Sequence, residues 1–176
     1  MTRTDVPSGA PDAPTGPSGP RALRESAARH ALLPLRIFLG VTFVYAGLDK
    51  LTDSAFLSAT GSGSIGELMN GVRDTSAIPA MVDLALKAPV GFAVALAIGE
   101  LLVGLGVLAG LLTRIAAVGG ALISLSLWLT VSWAVTPYYY GNDLIYLMAW
   151  TPLVLAGAPY LSLDSLIRSR RSRRTA

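Results

Sequence analysis

The chain has no cysteine and a single histidine, His30. Without thiols it cannot build a disulfide, an iron–sulfur cluster or a thiolate metal site. One imidazole, lying ahead of the first apolar segment, cannot make a bis-histidine haem or a histidine-rich metal centre. No haem, metal or Fe–S centre is therefore expected from this polypeptide alone. Charge is also scarce: 14% of the 176 residues are charged while 52% are hydrophobic. That balance argues against a soluble domain of this size and fits a polytopic membrane protein. The net charge of +3 comes mainly from basic residues at the two ends, which points to membrane topology and not to a nucleic-acid partner. Residues 1–20 contain no Leu, Ile or Phe and are rich in Pro, Gly, Ser and Ala. Such a segment buries too little apolar surface to fold, so residues 1–30 are expected to form a disordered, basic leader.

Long apolar runs are what the chain has in plenty. Residues 90–112, VGFAVALAIGELLVGLGVLAGLL, carry one charge, Glu100, close to the middle. A hydrocarbon core about 30 Å thick needs ~20 apolar residues in a helix, so this stretch is long enough to cross it. Three more spans are expected at about 31–51, 115–135 and 143–161, with Pro152 a kink inside the last and Pro159 near its end. Between the first two spans the chain turns polar and glycine-rich. Two short helices are expected there, over 65–72 and over 79–87, the second with Pro79 suited to a first helical turn. Residues 31–165 thus read as an all-α, polytopic four-helix membrane bundle, and 166–176 as a basic cytoplasmic tail.

Four spans put both termini on one side. If that side is cytoplasmic it holds eleven of the fourteen Lys and Arg residues, and Lys50, Arg73 and Lys87 face the other side. The positive-inside rule then places both termini in the cytoplasm and the two short helices in an extracytoplasmic loop. In that orientation Glu100 lies near mid-depth, where a carboxylate costs roughly 2.5–3.5 kcal/mol or more to insert. It needs a partner or a task. Arg36, about one turn nearer the cytoplasm on the first helix, is one candidate partner. The alternatives are a carboxylate that fixes helix packing, charged or neutral, and a group that handles a proton or binds a headgroup. A second cluster, Tyr45, Asp49, Lys50 and Asp143, is expected at the outer mouth, with Lys50 bridging to Asp143; an interfacial salt bridge and a ligand site both fit it. Trp128 and Trp150 lie deeper than an interfacial aromatic belt requires, where they suit the walls of a flat apolar ligand site. Gly106 and Gly110 form a GxxxG, and Ala116, Gly119, Gly120 and Ser124 line the third span, a pattern that allows close helix approach.

Three blocks, LRIFLGVTFVYAGLDKL, AIGELLVGLGVLAGLLTRIAAVGG and LAGAPYLSLD, resemble the DoxX/DoxD superfamily, in particular its branch related to the DoxD subunit of thiosulfate:quinone oxidoreductase. The resemblance covers about residues 32–166. It rests on Arg36, Gly40, Gly47 and Lys50, on Glu100, Gly104 and Arg114, and on Ser162-Leu163-Asp164. It implies a multi-pass protein of the bacterial or archaeal cytoplasmic membrane. It also implies a quinone-linked oxidoreductase role with a non-covalently held quinone and a protein partner subunit. Thiosulfate is not carried over, because the outer loop is acidic. On this expectation Glu100 and Arg36 are the buried catalytic pair. Tyr45, Trp128 and Trp150 border the ligand, and Asp49, Lys50 and Asp143 gate the mouth. The alternative is a non-catalytic membrane anchor or scaffold for a partner enzyme. A small carrier is a third reading, but Glu100 has no counterpart in the fourth span to make the halves repeat.

Overall fold

The computed structural model describes residue 27, residues 30–157 and residue 162. The leader other than residues 27 and 30, Pro159, Asp164 and the basic tail lie outside the described residues. Among the described residues six complete α-helices succeed one another: α1 (Leu33–Thr52), α2 (Ile65–Arg73), α3 (Pro79–Leu86), α4 (Pro89–Ala109), α5 (Thr113–Thr130) and α6 (Asn142–Ala156). A 3-10 turn over Tyr138–Tyr140 precedes α6. The described residues are therefore all-α, with no strand among them. Two of the helices, α4 and α5, are long and apolar enough to cross a membrane by length and composition.

Local chemistry explains where each helix starts and stops. Prolines occupy the first turn of α1, α3 and α4, where a missing N–H costs nothing. Ser64 caps α2 by accepting from the Glu67 N–H, and Glu67 reaches back to the Gly63 N–H at 2.7 Å. At the far end of α4, Gly110 turns left-handed (φ 65°), and the Gly110 and Leu111 N–H groups return to Val107 and Gly106 carbonyls. The helix therefore ends at Ala109, short of the apolar Leu111 and Leu112 that the expected span included. The third span is shorter than its apolar run for a similar reason. Both the Val131 and Ser132 N–H groups bond to Leu127 O, which closes α5 at Thr130. The fourth ends at Ala156, before a left-handed Gly157 (φ 70°).

The long helices pack chiefly as two pairs, α1 on α4 and α5 on α6, joined through α4 and α5. Their shared core holds Leu39, Phe43, Val103, Val107, Trp150 and Leu153. Helices α2 and α3 fold over one end as a cap with a second core of Ile65, Met69, Val82 and Ala85, which continues into Ala93 of α4. The cap is tied to α5 by Ala77 N–H and Ser76 Oγ, both donating to Leu129 O at 2.9 and 3.2 Å. Large apolar side chains remain exposed on all four long helices, including Ile37 and Val41, Leu102 and Leu105, Ile115 and Leu122, and Met148 and Leu155. A soluble monomer does not leave so much apolar surface in water; lipid accounts for it.

An ion pair joins the two cap helices. Arg73 donates through Nε and Nη2 to the two carboxylate oxygens of Asp83, and through Nη1 to Asp74 at 3.0 Å. Hydrogen bonding from Arg73, followed by its charge, holds the Asp83 carboxyl below the usual carboxylate range. A carboxyl depressed on folding stabilises the cap above its unfolded value, about pH 4, and that contribution fades as pH falls toward the folded value. Both partners are exposed, so the effect is small and salt-sensitive. Proteolysis within residues 53–88 is expected to stay constant from pH 7 to 5 and to accelerate below pH 4. An Asp83→Asn variant should already be faster at pH 7 and respond less to acid; an identical acid response in both proteins would exclude the pair.

Candidate functional site

The seam between α1 and α4 sets the site. The helices run antiparallel at backbone contact: a Cβ on Gly47 would lie 2.6 Å from Ala97 O, and one on Gly104 2.8 Å from Gly40 O. Small residues seven apart on each helix, Gly40 and Gly47 against Ala97 and Gly104, let the backbones meet. The expected GxxxG of Gly106 and Gly110 does not make this contact. Gly110 is the left-handed residue that ends α4, and Gly106 meets Ala116 of α5.

Lys50 lies three residues beyond Gly47, and Glu100 three beyond Ala97. Helical side chains lean toward their own N-terminus, so Lys50 bends back into the bundle. Its Nζ sits 2.8 and 3.0 Å from the two carboxylate oxygens of Glu100 and 3.4 Å from Ala46 O. The Glu100 side chain is 4% exposed and that of Lys50 23%, so the pair is sealed on one side and partly open on the other. Attraction at this distance in a low-dielectric bundle is strong, and so is the desolvation that opposes it. The two effects produce a large asymmetry: the intact pair is close to neutral for stability, while the buried carboxylate left alone is costly.

Asp143, in the first turn of α6, lies within electrostatic range of both Lys50 and Glu100. One of its oxygens accepts from Ser132 Oγ, in the turn after α5. Three ionisable groups and a hydroxyl, contributed from α1, α4, α6 and the α5–α6 turn, thus gather at the capped end. With all three ionised the cluster is one positive charge short of neutral, so it can hold a proton or present an acceptor to a guest.

The other expected residues lie elsewhere. Arg36 is buried at the opposite end, where a methyl group on Gly110 would come 3.5 Å from Arg36 Nη1 and run into Ser162 Cβ. Ten residues of α4 separate Gly110 from Glu100, about 15 Å at 1.5 Å per residue, so Arg36 and Glu100 are not a pair. Lys50 likewise bonds to Glu100 where a bridge to Asp143 was expected. Tyr45 is 69% exposed, and Asp49 is exposed as well; both stand on the outer surface of α1, apart from the cluster. Trp128 is half-buried and packs against Trp133 with ring centroids 5.3 Å apart. Trp150 is fully buried, edge-on to Phe43 at 4.9 Å, and its indole lies over Gly120, where no side chain would fit. Its Nε1–H has no hydrogen-bond acceptor among the described residues.

Two features of the cluster differ from the sequence-based expectation. Ser132 carries no signal, being one serine in an apolar stretch. The Lys50–Glu100 pairing did leave one. Aligning the small residues Gly40 and Gly47 with Gly104 and Ala97 places Lys50 opposite roughly residues 94–98 and Arg36 opposite roughly 108–112, by helical register. The lysine is then one turn from Glu100, and the arginine is far from it.

An all-α bundle with a lipid-type surface, a polar cap and a charge pair sealed between its helices defines a multi-helix membrane protein with an internal polar site. Residues 31–133 match the DoxX family model, and the chain belongs to the DoxX family. No curated protein and no solved structure matches it.

Proposed function

We propose that this chain is a four-span subunit of a quinone-linked oxidoreductase in the bacterial cytoplasmic membrane, with both termini cytoplasmic and the cap outside. The observation that carries the reading is the Lys50–Glu100 pair with Asp143 beside it, a proton-capable cluster inside an apolar bundle and open on one side. Apolar side chains exposed on all four long helices, not only on α4 and α5, support four spans. The residues fit a quinone headgroup. Lys50 is a donor for a carbonyl oxygen, and Glu100 and Asp143 are carboxylates that can hold or release a proton at that oxygen. When bound, the quinone would supply two-electron, two-proton carrier chemistry. Electrons would come from a redox centre on a partner subunit, since this chain has neither the cysteines nor the histidines to bind one.

The test is saturable binding of a short-chain ubiquinone or menaquinone to the purified protein in detergent. The reading expects binding by the native chain and at least a tenfold loss in a Lys50→Met/Glu100→Met variant that still folds. No saturable binding, or equal binding by both, overturns it. A second reading, a non-catalytic anchor for a partner enzyme, is favoured by one detail. The three N–H bonds of Lys50 already meet three acceptors, Glu100 Oε1 and Oε2 and Ala46 O. In that case the double variant retains its partner and native protein binds no quinone.

A further inference from the structure

Helix α3 has three faces where an ordinary surface helix has two. At about 100° per residue, Val82 and Ala85 share one face, Met81 and Leu84 a second, and Asp83 and Lys87 a third. The first face is buried in the cap core. The third is polar, with Asp83 held by Arg73. The second is neither: Met81 is 41% and Leu84 66% exposed, although both are large and apolar. A helix in water gains nothing from such a face.

Its position says what covers it. Helix α3 ends at Leu86 and α4, the more apolar of the two membrane-type helices, begins at Pro89. The short connection holds α3 at the level where α4 enters the bilayer, and α3 packs against both α4 and α5. Large apolar side chains are exposed along α4 as well, Phe92 in its first turn and Ile98 and Leu102 further on. At the same end of the bundle Trp133, Tyr138, Tyr139 and Tyr140 are exposed, side chains that favour a membrane–water boundary.

We infer that α3 is an interfacial helix: Met81 and Leu84 enter the acyl boundary of the adjacent leaflet, Val82 and Ala85 close the cap core, and Asp83 stays in water. The occupant of the second face is lipid. The cap is thereby fastened to the bilayer as well as to α5, which fixes its height over the Lys50 end of the bundle. The inference rests on the membrane character of the bundle and is independent of quinone binding.

The absence of native cysteine makes the test direct. Single Met81→Cys, Leu84→Cys and Gly71→Cys variants, each labelled with an environment-sensitive fluorophore, are reconstituted in phosphatidylcholine/phosphatidylglycerol vesicles. Gly71 is the control, an exposed position on α2 where an added Cβ meets nothing within 4 Å. Nitroxide-labelled lipid should quench the labels at 81 and 84 at least threefold more than that at 71, and aqueous iodide should show the reverse order. Iodide quenching at 81 and 84 equal to that at 71 overturns the inference by placing the face in water. Shielding from both quenchers overturns it too, by placing the face against a second copy of the chain.

Discussion

Replacing Lys50 with methionine is expected to lower the unfolding free energy by about 3–5 kcal/mol, the penalty for stranding a buried charge. The Glu100 carboxylate, 4% exposed, would lose its partner while staying buried between the helices. The reverse variant, Glu100→Met, should cost clearly less. Lys50 lies near the end of α1 with 23% of its side chain exposed, so its flexible stem can turn the ammonium outward. Changing both residues to methionine should return stability to within about 1 kcal/mol of native, because an ion pair exchanged for apolar packing is often neutral or better. Unfolding in detergent micelles, by heat or added SDS and followed by circular dichroism, gives all four corners of the cycle. Equal losses for the two single variants, or a double variant that simply adds them, would remove the pair from the account of stability. The same cycle supplies the folded, uncharged protein that the quinone experiment needs.

The two cap helices were legible because their signals are local. Pro79 marks the start of α3, and the observed bounds of both helices fall within a residue of those expected. The far ends of the long helices were less legible, and for one reason. Hydropathy continues through Leu111 and Leu112 and through Val131, but the backbone leaves the helix there, at a left-handed glycine and at a shared carbonyl. Apolarity measures where a residue can lie, not where its hydrogen bond goes.

The site shows the same division. A carboxylate in an apolar helix demands an answer, and that demand is legible from Glu100 alone. Which cation answers it depends on the register of α1 against α4, a tertiary quantity. Arg36 and Lys50 are both basic and both on α1, about 21 Å apart along the axis at 1.5 Å per residue, so a shift of register decides between them. Composition favoured neither. The glycines favour Lys50: whether Gly40 and Gly47 face Gly104 and Ala97 or Gly106 and Gly99, the small residues seven apart on α4, the register sets Lys50 within about a turn of Glu100 and leaves Arg36 far from it.

The observed alignment leads to the second large effect. Gly47→Ala and Gly104→Ala are each expected to destabilise the bundle by about 1–3 kcal/mol, although alanine is the better helix former by about 1 kcal/mol. The new Cβ at 47 would stand 2.6 Å from Ala97 O and 3.0 Å from Leu101 N, and at 104 2.7 Å from Val44 N. These are backbone atoms, which move only if the helices part. Gly40→Ala should cost less, since its nearest contact, 2.5 Å, is to the Leu108 side chain, which can change rotamer. Gly99→Ala, on the same helix as Gly104 but with only Ile123 Cδ1 at 3.6 Å, should be neutral or stabilising. The order 47 and 104 worst, 40 intermediate, 99 harmless is read from unfolding midpoints of the four variants. A uniform gain from all four would mean that the backbones are not in contact. Because parting the helices also lengthens the reach from Lys50 to Glu100, Gly47→Ala and Lys50→Met should combine to less than the sum of their separate losses.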